Sequence, residues 1–359
     1  MGKNALVILG AGAAHDLIPL GKDGQPLGSS APNLVPPLTR AVFEDNIITK
    51  GILDQYQGAR NLAGTIRIEL EKDDAVLEPL LERMAEAEEK TLSQQFPQIP
   101  LYLQDLFLNI SRQYTNQAIN YQRLAFQLFS EESGLEQIAF LTLNYDTILD
   151  DVLSPSYLSL TQSMASYANS ECLLVKLHGS VNWARTFEFE QSRHESFGRR
   201  EYLNLIGSLG YRGIGDKLGP DFAEHPPSGQ RWTHQDEGNL RTFTIYYPAL
   251  SVPLGEYNPY YACPSSHVEA LKEFLKDCKN VLAIGVSGRD QDLLGLLQDG
   301  LPKEVGMFAL VDSSLAAANS SLDRFSKVPQ LSTWHLRYTD GFSGFILQGG
   351  LEEVISGCR

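Results

Sequence analysis

The chain has 359 residues, of which 43% are hydrophobic and 20% charged, and its formal net charge is −15. This length suits one large α/β domain with insertions, or two domains sharing a cleft, and the composition is ordinary for a globular protein. The acidic balance argues against direct nucleic-acid binding, which normally requires a basic surface, although a local basic patch around Arg199 and Arg200 remains compatible with it.

The cysteines and the N-terminal segment further restrict the class of protein. Four scattered cysteines without a C-x-x-C pair argue against a zinc ribbon and against a disulfide framework, so no metal is expected. The sequence starts Met-Gly-Lys-Asn-Ala-Leu, without a long apolar segment and cleavage site, and it contains no run of roughly 18 apolar residues that would span a bilayer. These features predict a cytoplasmic protein that is not attached to a membrane.

The first predicted element is a strand. Residues 5–9 form a short apolar run that stops at Gly10-Ala11-Gly12. Its length and its glycine stop favour a buried parallel strand over a helix. Residues 20–37 are rich in Gly, Pro and Ser, which predicts a long ordered loop or flap.

Helices and further strands follow. Apolar residues recur at three- and four-residue spacing in the segment 41–133, which predicts a helical insertion whose acidic stretch 69–89 is a solvated face. Polar character and weak periodicity predict a second, smaller insertion near the cleft at residues 185–244. Short apolar runs separated by helical stretches lie at residues 138–143, 173–177, 281–284 and 307–311. The alternation predicts a Rossmann-like α/β fold, a doubly wound and mostly parallel sheet formed by residues 1–40, 134–184 and 245–359.

A glycine-rich turn closes the first strand. At Gly10-Ala11-Gly12, backbone N–H groups can approach a pyrophosphate, and the start of a following helix adds a favourable field. The full G-x-G-x-x-G pattern is not met, because His15 occupies the position of the third glycine. A tight strand-to-helix turn without a ligand is the alternative.

Polar residues follow the next two strands. Thr142, Asn144 and Asp146 end the run 138–143, and open parallel sheets bind ligands at the carboxyl ends of their strands. An Asn/Asp turn or a helix cap is the alternative there. His178-Gly179-Ser180 follows the run 173–177, where a histidine can act as a general base close to a ligand. A buried histidine with satisfied hydrogen bonds is the alternative.

Two later strand ends carry further candidates. Gly285, Ser287 and Asp290 follow the run 281–284 and offer groups for phosphate or ribose, or a cap for the next helix. Asp312 directly follows the run 307–311 and is placed to accept hydrogen bonds from a ribose diol. Capping of a helix at residues 313–318 is the alternative for Asp312.

Taken in order, these motifs resemble a family signature. Gly-Ala-Gly, Thr-x-Asn-x-Asp, Lys-Leu-His-Gly-Ser and Gly-x-Ser-x-x-Asp are similar to the motifs of sirtuins and of bacterial sirtuin-like NADases. Tyr247-Pro248 with Pro253 resembles the proline-containing segment of that family. Protein-deacylating sirtuins carry a four-cysteine zinc module, which this sequence lacks, and Ala14 replaces one of their serines. The sequence is therefore more similar to the zinc-free bacterial branch that acts in anti-phage defence by destroying NAD⁺.

The resemblance implies an NAD⁺ hydrolase that cleaves the nicotinamide–ribose bond, with NAD⁺ as substrate and no metal. It assigns His178 to the ribose hydroxyl or the attacking water as general base, and Asn144 to orienting water and nicotinamide. Asp146 would bind the carboxamide or hold its loop. The groups expected to contact the rest of NAD⁺ are Gly10, Ala11, Gly12, Thr142, Gly179, Ser180, Gly285, Ser287, Asp290 and Asp312.

Two other functions stay open at this point, an NAD-dependent protein deacylase and a non-catalytic nucleotide-sensing subunit of a complex. The resemblance further implies a regulated effector of abortive infection. Such an effector is expected to form a homo-oligomer or to respond to a separate partner, such as a DNA-translocating ATPase or a nucleic-acid-guided protein.

Overall fold

The structure is a computed structural model, in which contacts divide the chain into two compact units. The first unit comprises residues 1–38, 111–177 and 265–359, and the second comprises residues 39–110 and 178–264. Most of the predicted loop 20–37, part of the acidic stretch 69–89 and Pro253 lie outside the described residues. The structure describes residues 4–18, 36–45, 47–70, 77–86, 89–154, 164–168, 172–224, 229–252, 262–332 and 335–357.

Strands and α-helices are numbered in chain order over these described residues. The strands are β1 (Asn4–Leu9), β2 (Gln137–Thr142), β3 (Cys172–Lys176), β4 (Gly179–Ser192), β5 (Phe222–Glu224), β6 (Trp232–Glu237), β7 (Leu240–Leu250), β8 (Cys278–Ile284), β9 (Met307–Val311) and β10 (His335–Tyr338). The helices are α1 (Ala11–His15), α2 (Ile47–Leu53), α3 (Gln57–Leu70), α4 (Leu77–Ala85), α5 (Lys90–Gln95), α6 (Gln98–Tyr114), α7 (Ile119–Leu128), α8 (Ile148–Leu153), α9 (Arg199–Lys217), α10 (Ser265–Leu275), α11 (Gln291–Gly300), α12 (Leu315–Phe325), α13 (Gly341–Leu347) and α14 (Gly350–Gly357). Short 3₁₀ helices lie at Thr39–Phe43, Thr115–Gln117, Glu131–Ser133, Met164–Tyr167 and Pro329–Leu331.

The first unit is built on a six-stranded sheet in the order β10-β9-β8-β1-β2-β3. All neighbouring strands in it are parallel. The chain runs outward from β1 through β2 to β3, and it then returns to the other side of β1 and continues through β8 and β9 to β10. This is the strand order of doubly wound dinucleotide-binding folds, and it confirms the predicted Rossmann-like α/β class.

The central strands are apolar over almost their whole length. Every residue of β1, β3 and β9 is buried, and so are all but one of β2 and of β8. Strands of a parallel sheet that is covered on both faces carry such continuous apolar runs. The structure therefore confirms the five strand predictions that rested on these apolar runs, at residues 5–9, 138–143, 173–177, 281–284 and 307–311.

The second unit combines helices with a four-stranded antiparallel sheet in the order β5-β4-β7-β6. Arg231, just before β6, is buried and donates to the Gln104 Oε1 atom at 2.5 Å and the Asp105 Oδ1 atom at 2.7 Å, so it fixes the start of β6 against α6. Gln104 in turn donates to the carbonyl of Val181 on β4 at 2.9 Å. Buried hydrogen bonds of this kind hold the sheet and the helix in one register.

This antiparallel sheet was not predicted, although the segment 185–244 contains a signal for it. In β4 the apolar Phe187 and Phe189 alternate with the exposed Glu188 and Glu190, which is the pattern of a strand with one buried face. The contacts group residues 111–133 with the parallel sheet and most of the predicted helical insertion with residues 185–244. The predicted insertion boundaries stay a prediction.

Candidate functional site

Three glycines meet where the chain leaves β1 and β8. The Gly10 N–H donates to the Ile284 carbonyl at 3.1 Å, and the Gly12 N–H donates to the Gly285 carbonyl at 3.2 Å. A Cβ atom on Gly10 would lie 2.5 Å from the Gly285 carbonyl oxygen, and one on Gly12 would lie 2.8 Å from the Gly285 Cα atom. Gly285 itself has φ +62°, and a Cβ atom there would lie 2.2 Å from the Ala13 nitrogen. Backbone thus packs directly on backbone, and only glycine fits at these positions.

The position of this contact in the sheet is informative. β1 and β8 are neighbours, and the direction in which the chain winds reverses between them. Doubly wound sheets bind ligands in the crevice at that switch point, outside the carboxyl ends of the strands. The Gly10 and Gly12 N–H groups are already paired, and their missing side chains make room for the Gly285 backbone. These glycines therefore position the ends of the two strands and do not donate hydrogen bonds to a ligand.

Asn144 is brought to the same turn from β2. Its Nδ2 atom donates to the Gly10 carbonyl at 3.0 Å and lies 3.5 Å from the Tyr121 hydroxyl. Its backbone N–H donates to the Thr142 Oγ1 atom at 3.1 Å. With the amide nitrogen committed to the turn, the Asn144 Oδ1 atom is the part of this side chain that can accept a hydrogen bond from a ligand.

Tyr121, on α7, is a residue that the sequence did not single out. It is buried, and burial raises the pKa of its hydroxyl well above the ordinary value. The hydroxyl therefore stays protonated beside Asn144 at neutral pH. Only an apolar helical pattern surrounds Tyr121 in the sequence, so no local signal could have assigned it to the site.

Asp146 lies in the interior just beyond Asn144. Its Oδ1 atom accepts the Ile148 N–H at 3.0 Å, and burial raises the pKa of its carboxyl above the ordinary value, which the ammonium of Lys176 partly offsets. The Lys176 Nζ atom donates to the Asp146 carbonyl and pairs with the Asp150 Oδ2 atom at 2.8 Å. These bonds fit the expectation that Asp146 holds its loop, and contact with a ligand stays a prediction.

The remaining candidates of the first unit make local bonds. The Asp290 Oδ1 atom accepts the Leu293 N–H at 2.7 Å and so caps α11. The Asp312 carboxylate accepts the Ser313 N–H at 2.8 Å and the Ser321 hydroxyl at 3.0 Å. The Ser287 carbonyl accepts Arg324 Nη1 at 2.9 Å, which places a cation from α12 against the loop after β8. Arg324 was not among the predicted residues, because it follows no strand.

His178, Gly179 and Ser180 belong to the second unit. The His178 carbonyl accepts the Ser251 N–H at 2.9 Å. Gly179 has φ +81°, and a Cβ atom there would lie 1.9 Å from the Ala249 carbonyl oxygen, so glycine is required where β4 meets β7. Ser180 is fully buried. In the first unit the structure therefore brings Gly10, Gly12, Asn144 and Gly285 together, whereas the role of His178 stays a prediction.

Neither a metal-binding group nor a membrane-spanning helix is present in the part of the chain that the structure describes. Within that part, no group of three or more His, Cys, Asp or Glu side chains is arranged to hold a metal ion. Within the same residues, no helix has both the length and the apolar character needed to cross a bilayer.

Comparison with known proteins gives similarity at the level of solved structures. No family model matches the sequence, and no curated protein matches it. Three solved structures similar to this chain are Sir2 proteins. A Sir2 homologue in complex with NAD is 13% identical, with a TM-score of 0.42 over 99% of this chain and 91% of that chain. A triple mutant of a Sir2 homologue in complex with 2′-O-acetyl-ADP-ribose is 14% identical, with a TM-score of 0.41 over 99% and 94%. Sir2Tm bound to a propionylated peptide is 11% identical, with a TM-score of 0.36 over 98% and 93%.

Proposed function

We propose that the chain is an NAD⁺ hydrolase that cleaves the bond between nicotinamide and ribose. The observation that carries the proposal is the three-glycine contact of Gly10, Gly12 and Gly285 at the switch point of the parallel sheet, with Asn144 bonded to the same turn. This contact fixes the ends of β1 and β8 at the place where doubly wound sheets bind the diphosphate of a dinucleotide. The order of the strand-end motifs supports NAD⁺ as the dinucleotide.

The reaction has a defined balance of bonds and protons. Water attacks C1′ of the nicotinamide ribose, the C1′–N bond breaks, and its electron pair returns to the pyridinium nitrogen, so that neutral nicotinamide leaves. A base takes the proton of the water, and ADP-ribose is the second product. The ribose passes through an oxocarbenium-like state, which dipoles fixed in advance stabilise better than solvent does. In the proposal, the Asn144 Oδ1 atom accepts a hydrogen bond from the attacking water.

His178 is the proposed general base, on the strength of the sequence motif. Removal of a general base typically lowers the rate by about 10²–10⁴-fold. The test follows nicotinamide release from NAD⁺ by the purified full-length chain and by His178→Ala. A matched control is His234→Ala, since His234 is an exposed histidine on β6 of the same unit. Equal rates for the wild type and His178→Ala would refute the assignment.

Two substitutions at Asn144 test its role in the reaction. Asn144→Ala removes both the anchor on Gly10 and the proposed contact with water, so we expect loss of nicotinamide release together with a lower free energy of unfolding. Asn144→Asp keeps an acceptor but places a carboxylate beside the Gly10 carbonyl, and it should lose activity as well. Full activity of both variants would remove Asn144 from the mechanism.

The same assay distinguishes the other two functions. A protein deacylase releases nicotinamide only when an acyl-lysine peptide is present and forms O-acyl-ADP-ribose. A nucleotide-sensing subunit binds NAD⁺ in calorimetry without any turnover. A wild-type chain that neither binds nor cleaves NAD⁺ would refute the proposal as a whole.

The proposal extends to the biological setting through the sequence motifs alone. In this extension the chain is a regulated effector that depletes the cytoplasmic NAD⁺ pool during phage infection, as a homo-oligomer or together with a separate activating partner. Light scattering on the purified chain measures the oligomeric state. NAD⁺ levels in infected cells that carry the wild type or His178→Ala measure the effect of the enzyme.

A further inference from the structure

The second unit contains a small cavity that the proposed hydrolase reaction does not use. Its volume is about 110 Å³, and two arginines and three aromatic side chains are among the residues that line it. A cavity of roughly 150 Å³ encloses benzene completely. The present cavity is smaller but partly open, so it can hold part of one planar ring. The lining residues that matter below are Tyr56, Arg199, Tyr202, Gly229, Arg231 and Trp232.

Packing holds the aromatic side chains of the cavity in fixed positions. The rings of Tyr202 and Trp232 stack with their centroids 5.7 Å apart and an interplanar angle of 28°. Tyr202 and Tyr56 are almost fully buried, so their rings are held by the surrounding packing. Trp232 is the partly exposed ring of the three, so it presents the rigid aromatic face that a planar ligand ring can contact with little loss of conformational entropy.

The two arginines differ in how far their charge is compensated. Arg231 is buried and donates to Asp105 at 2.7 Å, to Gln104 at 2.5 Å and to the Tyr56 hydroxyl at 3.2 Å. Its charge is therefore neutralised within the unit. Arg231 therefore lines the cavity without an unpaired charge that would favour an anionic ligand.

Arg199 is held in place without a carboxylate. Its guanidinium carbon lies 4.8 Å from the centre of the Tyr56 ring, and its Nη2 atom donates to the Gln55 carbonyl at 3.1 Å. Among the described residues no carboxylate forms an ion pair with Arg199. A guanidinium that is fixed by a ring and a carbonyl, and not by an anion, is ready to bind one.

We propose that this cavity binds a planar aromatic anion, with the ring against Trp232 and the anionic group paired with Arg199. The local charge supports an anion, since the lining residues include no carboxylate and Arg199 has no ion pair with a described carboxylate. Mononucleotides and aromatic carboxylic acids share this chemistry. The proposal does not rest on the hydrolase reaction, because none of the residues that line the cavity has a role in that reaction.

The test titrates the full-length chain by calorimetry with AMP, UMP and benzoate, which are planar aromatic anions. Ribose 5-phosphate supplies the anion without the ring, and adenosine supplies the ring without the anion. We expect at least one aromatic anion to bind at millimolar concentration or below, and the two incomplete probes to bind about tenfold more weakly or not at all. Binding of the nucleotides but not of benzoate identifies a mononucleotide site, and the reverse identifies an aromatic-acid site.

Substitutions at Arg199 test whether the aromatic anion binds in this cavity. Arg199→Gln should weaken this binding about tenfold or more, the size of one charge-assisted hydrogen bond. Arg199→Lys should restore it only in part, because an ammonium lacks the planar fork that pairs with an anion through two hydrogen bonds. The matched control is Arg200→Gln, since Arg200 is exposed and already paired with Glu201 at 2.9 Å. Equal affinity of the wild type and Arg199→Gln, no binding of any aromatic anion at millimolar concentration, or equal binding of ribose 5-phosphate would each overturn the proposal.

Discussion

The buried ion pair between Lys176 and Asp150 allows a quantitative test of how the loop after β2 is held. Both side chains are almost completely inaccessible to solvent, with exposed side-chain fractions of 0% and 4%. The Lys176 Nζ atom lies 2.8 Å from the Asp150 Oδ2 atom and also donates to the Asp146 carbonyl. The Asp150 Oδ1 atom accepts the Tyr167 hydroxyl at 2.8 Å. One ammonium therefore ties β3 to the loop that carries Asn144.

The change to make is Lys176→Met, which keeps the length of the side chain and removes its charge. Asp150 is then a buried charge without a counterion, and breaking such a pair from one side costs about 3–5 kcal/mol. Asp150→Asn leaves the ammonium of Lys176 uncompensated and should cost a similar amount. In the double variant both charges are gone, and the main loss is the donor to the Asp146 carbonyl, about 1–3 kcal/mol.

The assay is urea unfolding of the four proteins in a double-mutant cycle. We expect the double variant to be more stable than Lys176→Met alone, because removing the second charge relieves the first loss. If the two single losses simply add in the double variant, the ion pair does not carry the stability that we assign to it.

Two further predictions concern the candidate site. Gly285→Ala should destabilise the fold by about 2–5 kcal/mol, from left-handed strain and overlap with the Ala13 nitrogen, and lower nicotinamide release. The control is Gly295→Ala, at an open position inside α11, which should instead stabilise the fold by up to about 1 kcal/mol. If the two substitutions changed the thermal unfolding temperature equally, the close contact of Gly285 with Ala13 would be contradicted. Asp146→Asn should keep the bond to the Ile148 N–H and retain nicotinamide release, which checks that Asp146 holds the loop. Burial raises the pKa of Asp146, so its ionisation lowers the stability of the folded state as the pH rises above about 4. The free energy of unfolding of the wild type relative to Asp146→Asn should therefore fall over that range. Urea unfolding at several pH values measures this difference.

Local patterns were sufficient for part of the fold. Continuous apolar runs ending in Gly, Asn or His predicted β1, β2 and β3, because a strand buried on both faces leaves a signal within five or six residues. The alternating strands of the antiparallel sheet left a weaker signal. In β4 only Phe187 and Phe189 alternate with exposed glutamates, which is a short pattern within a largely polar segment.

The sequence by itself determined the class of the fold and the strand ends at which polar residues and glycines stand. It could not determine which of these residues meet, since the amide of Asn144 reaches Gly10 across 134 positions of the chain. The tertiary structure decided that the glycines act through close backbone packing, with the Gly10 and Gly12 N–H groups paired to the end of β8. It also decided that Lys176 faces Asp150 in the interior. Hydrogen-bond partners and burial depend on how distant segments pack, and no local pattern of residues encodes that packing.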